Sequence, residues 1–279
     1  MSKVYITGRD GYISKYFLEN SDRFSLSLIS ISRKEQGGLD LYNPSCFDYS
    51  KISKGDFVIF SSAISSPDTC YSNFREAVEI NVSGTSYAIS RMLQRGAKVI
   101  FLSSDVVYGS STDTKSEESL IDPNSLISDY ANMKYCIERV FMRETNVKIL
   151  RLSFVASHED SFVRYIRSCV ESQSTINVYS FFVRNIVSIE DVFQGIQNLT
   201  LDWNFNNIIN FSGPESLSRL DMLNTFFKCN NLYHPFKVIE PPQEFLSRRP
   251  RVVKTSSLYF QKLLQRTPTS LSNTYSRTA

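Results

Sequence analysis

Short apolar runs alternate with amphipathic stretches over the first 150 residues. Val4–Ile6, Leu26–Ile31, Phe57–Phe60, Val99–Leu102 and Val147–Leu150 have the length and apolar density of strands buried on both faces. Between them Ile13–Asn20, Asn73–Gln94 and Tyr130–Thr145 repeat apolar residues at helical spacing. Such alternation predicts an α/β chain with a parallel sheet covered on both sides, a doubly wound fold.

Beyond Arg151 the pattern loosens. It predicts helices over Ser161–Glu171 and Ser218–Lys228, another starting near Ser188-Ile189-Glu190-Asp191, and a buried strand at Ile208–Phe211. Pro241–Arg251 reads as loop and Asn273–Ala279 as a frayed tail. Without a clean linker, the expected organisation is a dinucleotide-binding domain over 1–152, to which the chain returns at about 186–212. Residues 153–185 and 213–279 then form a smaller substrate-binding part.

Composition adds little to this and mainly excludes. The 279 residues carry a net charge of +3, too small to call for nucleic acid or a membrane surface as partner. The chain enters a strand pattern at Val4, leaving no room for a signal peptide, and no apolar stretch reaches membrane-spanning length, so a cytoplasmic protein is expected. Five cysteines without CxxC spacing, with His158 and His234 the only histidines, give no metal site.

Two motifs carry chemistry. The first strand runs into Thr7-Gly8-Arg9-Asp10-Gly11-Tyr12-Ile13-Ser14, a glycine turn opening a helix, where backbone amides and the helix dipole favour a pyrophosphate. The second strand ends in Ile31-Ser32-Arg33-Lys34. A cation there suits the 2′-phosphate of NADP, so Arg33, with Lys34 beside it, favours NADP(H) while NAD(H) stays possible. Tyr130-Ala131-Asn132-Met133-Lys134 is a YxxxK on a predicted helix, with both side chains on one face. An ammonium there would lower the tyrosine pKa toward working pH. Ahead of it, Leu102-Ser103-Ser104-Asp105-Val106-Val107-Tyr108-Gly109 ends a strand, and the Ser104 hydroxyl suits orienting a carbonyl.

Together these resemble the extended short-chain dehydrogenases, a Rossmann-like fold, along nearly the whole chain. Gly8 and Gly11 match the first two glycines of GxxGxxG, with Ser14 in place of the third. Asn81-Val82-Ser83-Gly84-Thr85 resembles the NVxGT segment, and Ser103 to Gly109 the SSxxVYG signature. Later come Asn185 to Val192, Ile209 to Glu215 and Arg248-Arg249-Pro250 with Lys254-Thr255-Ser256, the last resembling dTDP-4-dehydrorhamnose reductases. The resemblance implies Ser104, Tyr130 and Lys134 as catalytic residues, with Tyr130 and Lys134 also at the nicotinamide ribose. It implies Gly8, Gly11, Tyr12, Ile13, Asp40, Leu41, Ser62 and Ala63 around the cofactor. Arg184 and Arg249 would hold the diphosphate of a nucleotide-linked sugar, with Ser104 and Asp105 at the sugar.

The resemblance also bears on the reaction. Dehydratases follow the catalytic Ser/Thr with Asp-Glu, whereas here Asp105 is followed by Val106. Reduction of a nucleotide-linked 4-keto-6-deoxy sugar by NADPH, in surface polysaccharide sugar biosynthesis, is therefore the expected activity. An NAD-dependent 4-epimerase and a non-catalytic NADP sensor are the alternatives. A homodimer is implied by analogy. His158 is read as a surface histidine from its loop setting.

Overall fold

The computed structural model describes residues 2–179 and 181–276. The first half runs β1 (Val4–Thr7), α1 (Tyr12–Glu19), β2 (Leu28–Ile31), β3 (Phe57–Phe60), α2 (Pro67–Ser72), α3 (Phe74–Val78), α4 (Thr85–Gln94), β4 (Lys98–Ser104), β5 (Ser111–Lys115), α5 (Asp129–Phe141) and β6 (Val147–Leu152). Then come β7 (Phe154–Ala156), α6 (Ser161–Glu171), β8 (Ile176–Val178), β9 (Val183–Ser188), α7 (Ile189–Leu201), β10 (Ile208–Phe211), β11 (Glu215–Ser218) and α8 (Arg219–Cys229). The chain closes with β12 (Phe236–Val238), α9 (Gln243–Leu246), β13 (Val252–Thr255), α10 (Phe260–Leu264) and α11 (Leu271–Ser276).

Six strands form a parallel sheet in the order β2-β1-β3-β4-β6-β10. The strand period of two sorts its residues between two cores. Val4, Ile6, Ile59, Ile100 and Leu150 pack with Phe17 of α1 and with Val192, Phe193 and Ile196 of α7. Tyr5, Val58, Phe60, Val99 and Phe101 pack on the other face with Ile89 and Met92 of α4 and Ile137 and Phe141 of α5. The chain steps from β1 out to β2, then back past β1 to β3. This reversal opens a crevice at the carboxyl ends of the strands, where ligands of such sheets bind.

A second sheet, β11-β9-β13-β5 with β7 beside β9, forms the wall facing that crevice. The two parts are interleaved more deeply than the hydropathy pattern suggests. β5 leaves the first half to pair with β13, and Phe260, Leu263 and Leu264 of α10 return to the first core.

Three sequence expectations change. Asn73–Gln94 is not one regular helix: α3 and α4 are joined by a π-helical turn over Glu79–Gly84. The turn coincides with an engaged side chain, since Asn81 accepts from the Ile64 amide at 2.8 Å and donates to the Ile64 carbonyl at 2.9 Å. Pro241–Arg251 contains the short helix α9, anchored by Phe245, whose ring lies 5.0 Å from Tyr179 and 5.2 Å from Phe182. The C-terminal segment is ordered through Ser276: Leu271 and Tyr275, one turn apart, are 1% exposed against α8, and the Tyr275 hydroxyl donates to Asp160. Its polar composition masks that apolar pair; residues 277–279 lie outside the described residues.

Candidate active site

The glycine turn is closed by the Gly11 amide donating to the Gly8 carbonyl at 2.8 Å. Gly8 has φ +73°, and a Cβ there would stand 3.1–3.3 Å from Ser62, so both backbone sign and space require glycine. Ser14 explains its departure from the family pattern: it is fully buried and its hydroxyl donates to the Thr7 carbonyl at 3.0 Å, seating α1 on β1. Thr7 Oγ1 in turn accepts from the amides of Ser61 and Ser62, at 3.0 and 3.1 Å. Gly8, Gly11, Arg33, Asp40, Leu41, Ser62, Ala63 and Ile80 line one cleft of about 300 Å³. Its apolar wall and glycine floor fit the adenosine and pyrophosphate of a dinucleotide. Tyr12 and Ile13 instead face the neighbouring cleft, and the Tyr12 hydroxyl donates to Ser157 Oγ at 2.6 Å, linking the turn to the second part.

At the end of β4, Ser104 caps the helical turn Asp105–Tyr108, its hydroxyl accepting from the Val106 amide at 3.4 Å and donating to Asp105 Oδ1 at 3.4 Å. Ser128 caps α5, accepting from the Ala131 amide at 3.1 Å. The helix then presents Tyr130, Lys134 and Glu138 in one column toward β4. Lys134 Nζ donates to the Leu102 carbonyl at 2.7 Å and sits 4.6 Å from the centre of the Phe101 ring and 5.8 Å from that of Tyr130. One turn on, Glu138 accepts from Ser103 at 2.5 Å and pairs with Arg151, whose Nη1 donates to the Tyr108 hydroxyl at 2.7 Å. Tyr108 closes the network on Asn210 at 2.9 Å.

The electrostatics differ from the sequence expectation. Tyr130 is not lowered toward neutrality: burial, reinforced by the Cys70 thiol and the Asp105 carboxyl, pushes its phenol above the ordinary value. Lys134 is lowered to about 8, because burial penalises its charge more than Glu138 and Cys70 support it. The phenol therefore keeps its proton at neutral pH. Asp105, 3% exposed, is raised to about 6 by burial, against the attraction of Arg184 and its bonds from Ser104 and Val106. Its Oδ2 has no hydrogen-bond partner among the described residues.

Ser104, Asp105 and Tyr130 share a second cleft, about 410 Å³, with Arg164, Arg184 and Arg219. Among the described residues Arg184 donates only to carbonyls, those of Val183, Pro250 and Arg251. Arg219 lies between the Phe154 and Phe162 rings, 4.2 and 5.0 Å from their centres, and burial lowers it to about 10 although Asp160 stands near. Among the described residues none of these three arginines forms a salt bridge. Arg249 does not line this cleft. Its guanidinium is held by both oxygens of Asp68, which also accepts from Arg248 at 3.3 Å, tying the α9 segment to α2. Sequence reasoning missed Arg164 and Arg219, because a lone arginine at the start of a helix carries no motif. His158 is half-buried rather than a surface residue, with Nε2 enclosed and without a partner among the described residues; it lines a cleft of about 570 Å³ that shares Tyr12 and Arg164 with the cleft of Ser104 and Tyr130.

A curated relative, the spore coat polysaccharide biosynthesis protein SpsK of Bacillus subtilis (strain 168), is 23% identical over 210 residues, covering 71% of this chain and 70% of that protein. Among solved structures, a hypothetical dTDP-4-dehydrorhamnose reductase from Sulfolobus tokodaii superposes with TM-score 0.81 at 18% identity, covering 97% of this chain and 98% of that one. RMD from Pseudomonas aeruginosa, complexed with NADPH, gives 0.77 at 14% identity over 99% and 97%. UDP-glucuronic acid 4-epimerase from Bacillus cereus, in complex with UDP-glucuronic acid and NAD, gives 0.75 at 20% identity over 98% and 96%. Residues 2–274 match the family described as the RmlD substrate binding domain. The chain belongs to that family and shares the fold of the extended short-chain dehydrogenases.

Proposed function

We propose that the protein is an NADP(H)-dependent reductase of a nucleotide-linked keto-deoxysugar of the dTDP-4-keto-6-deoxyhexose type, acting in surface polysaccharide biosynthesis. The observation carrying this reading is the shared cleft, in which a protonated Tyr130 and the Ser104 hydroxyl lie at one end and salt-bridge-free arginines line the walls. A bound nicotinamide dinucleotide would supply the hydride. Ser104 would donate to the substrate carbonyl oxygen, and Tyr130 would pass its proton to that oxygen as the hydride reaches carbon, giving the alcohol. Lys134 then stabilises the phenolate left behind, held for that task by the Leu102 carbonyl. Arg184, with Arg219 and Arg164 beside it in the cleft, would hold the diphosphate, an anion that guanidinium forks suit. The curated relative's name, a polysaccharide biosynthesis protein, supports the pathway class.

The test is NADPH oxidation followed at 340 nm with dTDP-4-keto-6-deoxyglucose, with and without a 3,5-epimerase. Stoichiometric oxidation in either arm is the expected result. No oxidation with NADPH or NADH, despite dinucleotide binding, would reject the reductase and leave the 4-epimerase to be tested by isomer exchange without net oxidation.

A further inference from the structure

Tyr12 opens α1 directly after the glycine turn, yet its side chain crosses to the second part of the chain. Its hydroxyl donates to Ser157 Oγ, 145 positions later in the loop between β7 and α6, at 2.6 Å, and stands 3.4 Å from the Val155 carbonyl. Ser157 is engaged on both sides. Its Oγ also accepts from the Glu159 amide at 2.9 Å, and its own amide donates to Asp160 Oδ2 at 3.2 Å. Asp160, 1% exposed, caps α6 by accepting from the Phe162 and Val163 amides at 2.8 and 2.9 Å. One helical turn on, the Arg164 amide donates to the Asp160 carbonyl at 3.0 Å. Tyr12, Asp160 and Arg164 all line the cleft of Ser104 and Tyr130. A continuous run of hydrogen bonds therefore joins the phosphate-binding turn to a guanidinium that has no salt bridge among the described residues.

We propose that Tyr12 and Ser157 are positioning residues that couple the two ligands, so that a dinucleotide on the glycine turn tightens the hold of the cleft on the sugar nucleotide. The inference rests on the proposed function. A pyrophosphate seated at the start of α1 would order Gly11 and Tyr12. The Tyr12 phenol then holds the loop from Ser157 to Asp160, and with it the first turn of α6. Arg164 is a long, rotamer-rich side chain, and binding a phosphate with it costs conformational entropy. Fixing the helix on which it stands removes part of that cost before the sugar nucleotide arrives. The coupling is reciprocal, so the sugar nucleotide tightens the dinucleotide by the same factor. Tyr12→Phe keeps the ring and loses the bond to Ser157.

The test is calorimetric titration of the full chain with dTDP-4-keto-6-deoxyglucose, alone and with saturating NADP⁺, which has no hydride to give. The readout is the ratio of the two dissociation constants, in which a uniform change in sugar-nucleotide affinity cancels. In the wild type the sugar nucleotide should bind about ten-fold tighter with NADP⁺ present. Tyr12→Phe and Ser157→Ala should each reduce that to about two-fold or less, and the double variant should reduce it no further. Ser157→Thr keeps a hydroxyl and should retain most of the ratio, which general damage to the loop would not allow. Titrating NADP⁺ with and without the sugar nucleotide should return the same ratios. A wild type without coupling, or a ratio that Tyr12→Phe leaves unchanged, would overturn the inference while the proposed function stands. Wild-type protein that fails to bind NADP⁺ or the sugar nucleotide would overturn the proposed function and this inference with it.

Discussion

The two ends of the cleft hold the same kinds of side chain under opposite conditions. Behind Ser104 and Tyr130, Lys134, Glu138 and Arg151 are 6, 1 and 4% exposed and bonded to backbone and to one another. At the rim of the glycine turn, Arg9, Lys34, Asp10 and Glu35 make ion pairs of nearly the same length in open solvent. Pair distance is therefore a poor guide to what a charge does. Burial turns a pair into a fixed fitting, because leaving either partner alone in low dielectric is expensive. Exposure leaves the pair weak and its members free to take a ligand.

The sharpest break with the rim is expected at Tyr130. Tyr130→Phe removes the proton donor and should lower turnover by roughly 10²–10⁴-fold, while dinucleotide affinity by calorimetry stays near wild type. Near-normal turnover would remove Tyr130 from the reaction. Next is the network behind it. Glu138→Gln leaves the Arg151 charge buried without its carboxylate and should destabilise the fold by about 3–5 kcal/mol in urea unfolding. Glu35→Gln, at a pair of similar length, should change stability by less than about 1 kcal/mol. Equal losses at the two positions would refute the contrast.

Much of this was legible in the chain, and unevenly so. Val4–Ile6, Phe57–Phe60 and Val99–Leu102 declare their strands because residues buried on both faces are apolar without interruption. Gly8 and the Tyr130–Lys134 spacing are legible because local backbone and helical geometry dictate them. Tertiary pairing is not written locally. Ser111–Lys115 is polar and exposed along most of its length, yet it joins β13 in the second sheet. The charges were hardest to read. Nothing around Arg249 indicates that Asp68, 181 positions earlier, already occupies it, or that Arg219 would lie between two phenylalanines in the cleft.

That pairing difference gives a third test. Arg219→Gln should raise KM for the nucleotide sugar by about ten-fold, since it removes a guanidinium that has no salt bridge to give up. Arg249→Gln should change KM by no more than about two-fold, because engaging a phosphate there first requires releasing Asp68. The reverse order would mean that substrate draws Arg249 away from Asp68, and that the α9 segment closes over the diphosphate.

The smallest effect separates the two environments by sign. Asp105, buried, titrates at about 6 in the folded protein against an ordinary 3.8. Between those values the folded state holds a proton that the unfolded chain has lost, so this group's contribution to stability falls as pH rises from about 4 to 6 and then levels off. Asp105→Asn should remove that loss: the variant's Tm, relative to wild type, should climb by a few degrees across the window and stay higher at pH 7. Asp10, at the rim, is shifted the other way, chiefly by its hydrogen bond from Lys34. Its contribution is present above its ordinary value and lost as pH falls through the lowered one, so Asp10→Asn should lower Tm slightly at pH 7, and the difference should fade in acid. Added salt should erase the Asp10 difference, which rests on an exposed pair, and leave the Asp105 difference nearly intact, because burial is not screened. If salt removes both, the Asp105 carboxyl is more open to water than its 3% exposure indicates, and the contrast between the two ends fails at its centre.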